Sequence, residues 1–160
     1  LLKAARLICD RRDDVHFIVA GYPYVEHYRQ VAAELGLADR VSFPGKVRYE
    51  DAPHILSLGD VAVSPKLSLT EGAGKLLNYM SMALPVVAYD TAVSHEYLAD
   101  DGVYAERGSV EDLARCLQLL LDDAALRAER GDRLRRRAQE RYGWEEAGRT
   151  ILDIYRSSSR

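Results

Sequence analysis

The sequence predicts an α/β fold, a doubly wound parallel sheet with helices on both faces. Three observations carry that prediction. The apolar runs at 15–20, 61–65 and 85–89 are short, nearly continuous and rich in Val, the pattern of strands covered on both faces. Segments with apolar residues at helical spacing alternate with them. The composition, 48% hydrophobic and 29% charged over 160 residues, is that of a globular chain. A chain of this length buries roughly 70% of the surface that its unfolded form exposes.

Taken in order, residues 1–12 place Leu1, Ala4, Ala5, Leu7 and Ile8 at helical spacing and end in a charged stretch at 10–14. The run 15–20 reads as a strand stopped by Gly21. Val25, Tyr28, Val31, Ala32 and Leu35 form the apolar face of a second helix that Gly36 ends. Val41-Ser42-Phe43 is a short strand before Pro44-Gly45. Asp51-Ala52-Pro53 opens a helix with proline in its first turn, and Gly59 closes it. A strand at 61–65, a helix at 75–83 and a strand at 85–89 follow, then a short helix at 95–99 that leads to Gly102-Val103-Tyr104-Ala105. Ser109 to Asp112 is a capping arrangement ahead of the apolar residues of 113–121. Residues 123–155 read as helical, broken at Gly143. No internal repeat or long linker divides the chain, so one domain is expected over 1–160, with 123–160 as a helical tail.

Several function classes are disfavoured. A net charge of -3 and a pI near 5.8 argue against a dedicated nucleic-acid binder, whose affinity rests on neutralising phosphates. No apolar run reaches the ~20 residues of a membrane span, and the first residues lack the apolar core of a signal peptide. Cys9 and Cys116 lie in apolar helical patterns and are expected to pack as small hydrophobes, which suits a reducing, cytoplasmic setting. They and the scattered histidines show no recurring ligand spacing, so no metal site is expected. The arginine-rich run 133–137 reads as a solvated helix face with spaced ion pairs. A weaker reading is peripheral contact with anionic lipid at the inner face of a membrane.

In doubly wound sheets ligands bind beyond the carboxyl ends of the strands. The densest polar signal there is residues 64–80, where a strand end feeds a polar loop, then Gly72-Ala73-Gly74, then a helix with Lys75 in its first turn. Glycines admit a ligand close to the backbone and a helix start favours anions, so this is a candidate phosphate site. Glu71 beside it would repel phosphate and suits a sugar hydroxyl instead. Asn78, two turns along, offers both a donor and an acceptor. Lys66 and Lys75 are candidate contacts for a diphosphate. The plainer reading is that the glycines only shape a loop and Glu71 caps the helix dipole. The segment is neither a P-loop nor a dinucleotide fingerprint, because the required glycines are absent. His95 and Glu96 are read as structural, with Glu96 capping the short helix.

Residues 71–80 (Glu71-Gly72-Ala73-Gly74-Lys75-Leu76-Leu77-Asn78-Tyr79-Met80), followed by 84–90 with Pro85-Val86-Val87, resemble the donor-binding segment of glycosyltransferase family 4, retaining enzymes of GT-B fold. Other segments agree in order: 15–21 with the family's strand and glycine, 41–45 with its Phe-x-Gly turn, 96–103 with its Glu and Gly segment, and Trp144-Glu145 with its terminal aromatic helix. The resemblance implies a Rossmann-like C-terminal half of a GT-B enzyme that binds a nucleoside-diphosphate-sugar as donor substrate, with no further cofactor. It implies that Glu71 contacts the donor sugar and that Gly72, Ala73, Gly74 and Lys75 face the diphosphate. Asn78 falls to the ribose, and Gly21, Gly45 and Val47 to the nucleotide end. The spacing is one residue shorter than the family's, and Asn78 stands where a second Glu is usual.

The family's first strand, its Gly-Arg and its Lys-Gly turn have no counterpart in this sequence. The expectation is therefore a fragment, inactive alone and prone to aggregate, whose sugar or lipid-linked acceptor is held by an N-terminal domain outside it. Two other functions stay open: a nucleotide-sugar 2-epimerase of the same fold, and a non-catalytic nucleotide-sugar-binding or docking module.

Overall fold

The computed structural model describes residues 1–158. Its order is α1 (Leu2–Cys9), β1 (Phe17–Ala20), α2 (Val25–Glu34), β2 (Val41–Gly45), α3 (Ala52–Leu56), β3 (Ala62–Ser64) and α4 (Lys75–Ser81). Then come β4 (Val86–Tyr89), α5 (Ala92–Leu98), β5 (Val103–Ala105), α6 (Val110–Asp122), α7 (Ala124–Tyr142) and α8 (Trp144–Ser158). Turns of 3-10 helix at Tyr49–Asp51 and Ala99–Asp101 lead into α3 and out of α5.

Differences from the expected bounds have local causes. The strand expected to stop before Pro44 runs on to Gly45. Its one neighbour among the described residues is β1, and an edge strand tolerates a proline that cannot donate. The helix expected over 95–99 starts at Ala92, because Thr91 caps it by accepting from the Ser94 amide at 3.1 Å. Ser109 caps α6 as expected, accepting from the Asp112 amide at 3.1 Å. The reciprocal contact differs: Asp112 accepts from the Glu106 amide at 2.7 Å and from Arg115 at 2.6 Å, which together hold its carboxyl below the usual range.

The parallel α/β arrangement is present, but its strands form two sheets. β1 pairs with β2, Phe17 opposite Val41. The other sheet has the order β3-β4-β5, with Ala62 opposite Val86 and Val87 opposite Val103. Every pairing is parallel. β4 is buried at every position, and its alternation serves two cores. Val87 and Tyr89 pack with Leu113, Leu117 and Leu120 of α6 and with Ile8 of α1. Val86 and Ala88 pack with Leu76 and Met80 of α4 and with Leu134 of α7. A third cluster, with Ala5, Ala32, Leu37 and Val41, lies against the β1–β2 pair. Cys9 and Cys116 are buried and unpaired, as expected. Among the described residues no helix is long and apolar enough to cross a membrane.

The arginines of α7 do more than solvate a face. Arg127 donates to the carbonyls of Leu120 (2.7 Å) and Leu121 (3.0 Å), closing the end of α6. Arg137 donates to the carbonyls of Tyr97 (2.7 Å) and Glu96 (3.0 Å), and Arg130 to that of Asp100. Arg133 keeps the expected ion pair, with Glu129 at 2.5 Å. Helix α8 has no buried residue, and Trp144 is 93% exposed.

Gly131 marks the crossing of α7 over the turn after α4. A Cβ there would stand 2.0 Å from the Ala83 carbonyl oxygen, which is backbone and cannot swing away. Overpacking of this kind costs about 1–3 kcal/mol, so Gly131→Ala is expected to lower Tm by roughly 2–10 °C in a thermal melt. Gly148→Ala, where a Cβ meets nothing within 4 Å, should not lower it.

Candidate functional site

The loop 65–74 leaves the carboxyl end of β3 and is knotted by one side chain. The Lys66 ammonium donates to the carbonyls of Glu71 (3.1 Å) and Gly72 (2.8 Å) and pairs with Glu71 Oε2 at 3.0 Å. These contacts use the three donors of an ammonium group. The Lys66 side chain is 26% exposed while that of Glu71 is 72% exposed, so the carboxylate is pinned yet open to solvent. Ser68 Oγ accepts from the Glu71 amide at 3.3 Å, and Arg107, from the loop after β5, reaches the Leu67 carbonyl at 3.4 Å.

Beyond Glu71 the chain alternates exposed and buried: Gly72 and Gly74 are exposed, while Ala73 and Leu76 are buried anchors. Gly74 has φ -50, so no left-handed geometry calls for glycine there. What the glycines supply is clearance. A Cβ at Gly74 would meet nothing within 4 Å, and one at Gly72 would meet only the Tyr97 hydroxyl, at 3.9 Å. Lys75 follows at the start of α4 and has no ion pair or hydrogen bond among the described residues. Packing around its ammonium, and then the charge of Lys66, push its pKa below the ordinary 10.5. Helix α4 is short, so this free ammonium is the stronger attraction for an anion. Asn78 is half-buried on the second turn of α4, its side-chain amide without a hydrogen bond among the described residues.

A second group forms beyond β1 and β2. Gly21 donates its amide to the Gly45 carbonyl at 2.8 Å, and both adopt positive φ, 149° and 77°, that side chains resist. Lys46 lies over the Tyr22 ring, 4.9 Å from its centre, and Val47 is half-buried beside it in sequence. Ala20 and Pro65, each next in sequence to one of these groups, line one slot together with Lys75.

Sequence reasoning missed the partners that hold these residues. Tyr22, Tyr97 and Arg107 carry no motif; each matters through a contact that the fold creates across the chain. Lys66, expected at a diphosphate, is engaged by its own loop. Glu96 does not cap α5, since Thr91 does; its carbonyl accepts from Arg137 and from the Tyr142 hydroxyl at 2.9 Å. His95 Nε2 lies 2.8 Å from Asp90 Oδ1, with its ring stacked on Tyr104.

The alpha-D-kanosaminyltransferase of Streptomyces kanamyceticus is 29% identical over 159 residues, which cover 97% of this chain and 41% of that one. The GDP-mannose-dependent monoacylated alpha-(1-6)-phosphatidylinositol monomannoside mannosyltransferase of Corynebacterium glutamicum is 26% identical, over 100% of this chain and 44% of its own length. The chain thus spans less than half of these relatives. Among solved structures, Anabaena Alr3699/HepE in complex with UDP superposes with a TM-score of 0.86 at 21% identity, covering 98% of this chain and 44% of that one. Sucrose-phosphate synthase from Thermosynechococcus elongatus superposes at 0.83 with 21% identity, over 98% of this chain and 41% of that one. These likenesses establish a GT-B-type, Rossmann-like α/β fold. Residues 1–123 match the family described as "Glycosyl transferases group 1", and the chain belongs to that family.

Proposed function

We propose that residues 1–160 bind the donor of a glycosyltransferase that moves a sugar from a nucleoside-diphosphate-sugar to an acceptor hydroxyl, with retention of anomeric configuration. The observation that carries the reading is the arrangement of Lys66, Glu71 and Lys75: a carboxylate pinned at the mouth of an open glycine turn, with an unpaired ammonium at its far end. A carboxylate held in place accepts strongly from sugar hydroxyls. The free ammonium then faces a diphosphate across the clearance left by Gly72 and Gly74.

In this reading the roles separate by charge. Lys66 is neutralised by Glu71 and positions it, which leaves Lys75 to offset the diphosphate and the charge that grows on the leaving group. In this reading Asn78 donates to a ribose hydroxyl, and Gly21, Gly45 and Val47 take the nucleotide end. The relatives named above are transferases, which disfavours the epimerase reading. An acceptor, whether a free sugar or a lipid-linked one, would be held outside these residues, and any contact with a membrane belongs to that part of the reading.

The test is ligand-induced thermal shift over a panel of UDP, GDP and their sugars. A ligand that binds only the native state at a hundredfold excess over Kd stabilises by about 2.7 kcal/mol. One nucleotide should raise Tm, and its sugar-bearing form should raise it further. Glu71→Gln should remove only the sugar's increment. A charged hydrogen bond contributes about 1.5–3 kcal/mol, so Lys75→Ala should weaken the nucleotide itself by roughly ten- to a hundredfold in titration calorimetry. A panel with no shift sinks the reading and favours a docking module.

Affinity should also depend on pH in a definite direction. Lys75 helps an anion only while protonated, and its pKa lies below 10.5. Nucleotide affinity is therefore expected to fall as pH rises toward that value from below. The fall should vanish in Lys75→Met.

A further inference from the structure

Tyr97 of α5 brings to the glycine turn a polar group that the roles assigned above leave unused. A Cβ on Gly72, the residue after Glu71, would meet the Tyr97 hydroxyl oxygen at 3.9 Å and nothing nearer. The side chain is half-buried and packs against the cluster that contains Ala73 and Leu76, the two apolar anchors of the turn.

The ring is braced from the far side. It stacks on Tyr142 of α7, with ring centres 5.5 Å apart and planes at 28°. Arg137 donates to the Tyr97 and Glu96 carbonyls, and the Tyr142 hydroxyl also donates to that of Glu96. These contacts hold the backbone and the ring of Tyr97, while its hydroxyl makes no hydrogen bond among the described residues. A polar group locked by packing and lacking a partner is ordered before any ligand arrives, which lowers the cost of binding.

The neighbouring groups say which ligand atom it suits. An ionised carboxylate only accepts hydrogen bonds, so a sugar hydroxyl that donates to Glu71 keeps its own lone pairs open to a donor. Lys66 does not supply that donor, because its three go to two carbonyls and to Glu71 itself. The Tyr97 hydroxyl is a neutral donor held against the next residue of the turn. We propose that Tyr97 is a sugar-binding residue that selects the donor sugar: its hydroxyl donates to the same sugar hydroxyl that Glu71 accepts from. A sugar lacking that hydroxyl would leave both groups without a partner, which is how such a site rejects it. This inference rests on the donor-binding reading and extends it to the choice of sugar.

The experiment is titration calorimetry on the native polypeptide with UDP, GDP, UDP-glucose and GDP-mannose, alongside Tyr97→Phe, Tyr142→Phe, Glu71→Gln and the double variant of Tyr97 and Glu71. Tyr97→Phe keeps the ring and its stacking and removes only the hydroxyl. It should weaken the sugar nucleotide that binds by about three- to tenfold and leave the bare diphosphate within about twofold. In the Glu71→Gln background the same change should cost less, because two residues that hold one hydroxyl do not act additively. Tyr142→Phe should leave the gain from the sugar as it is. Undiminished affinity of Tyr97→Phe for the sugar nucleotide overturns the proposal. So does an equal loss for the bare diphosphate, or the same loss in Tyr142→Phe, since Tyr97 would then act only through the packing of the turn. Additive losses for Tyr97 and Glu71 overturn the shared hydroxyl. Failure of all four ligands to bind the unaltered protein overturns the donor reading itself, whereas binding that is indifferent to Tyr97→Phe overturns this proposal alone.

Discussion

The burial of β4 is the constraint on which the rest of the structure depends. Its four residues are 0%, 0%, 0% and 5% exposed, and they alternate between a core built with α6 and α1 and a core built with α4 and α7. Burying side chains of this size contributes about 1.5–3 kcal/mol each for Val and more for an aromatic ring. Because both faces are used, β4 cannot slip by one residue without exchanging the two cores. Its pairing with β3 and β5 then sets where their carboxyl ends stand. The loops 65–74 and 106–109 leave those ends together, which is how Arg107 comes to hold Leu67.

Upon that frame the candidate site is held by polar contacts that contribute little to stability. An ion pair with one largely exposed partner, like that of Lys66 and Glu71, is worth about 0–1 kcal/mol. Its importance is geometric. Two carbonyls and one carboxylate oxygen converge on one ammonium, so the loop closes on itself and Glu71 faces outward. The anchors that resist its movement are apolar: Ala73 and Leu76 are buried on either side of Gly74. Among the described residues the turn thus carries one neutralised cation, Lys66, and one without an ion pair, Lys75.

The long helix α7 ties the second core to the strand exits. Gly131 lets it approach the Ala83 carbonyl, and Arg127, Arg130 and Arg137 take up carbonyls at the ends of α6, after α5 and within α5. A planar guanidinium with five donors suits this work, since it satisfies two carbonyls at once while its charged end remains wet. Three of the seven arginines in 127–141 thus tie α7 to carbonyls of other elements.

Much of this was legible in the residues alone. Val-rich runs and helical spacing determined the order of elements and the parallel pairing, because period and β-branching act locally. The Glu71 to Lys75 segment and its place after a strand were visible for the same reason, as were the caps at Ser109 and the turn at Gly36. Tertiary structure alone decided what holds them. That Lys66 turns inward to Glu71, that Tyr97 faces Gly72 and that Arg137 reaches across forty residues are consequences of where separate elements land, and no local spacing encodes them. The division into two sheets was likewise set by pairing. A strand's sequence states that it wants neighbours on both faces, while whether both edges find a partner depends on which other strands are there to meet them.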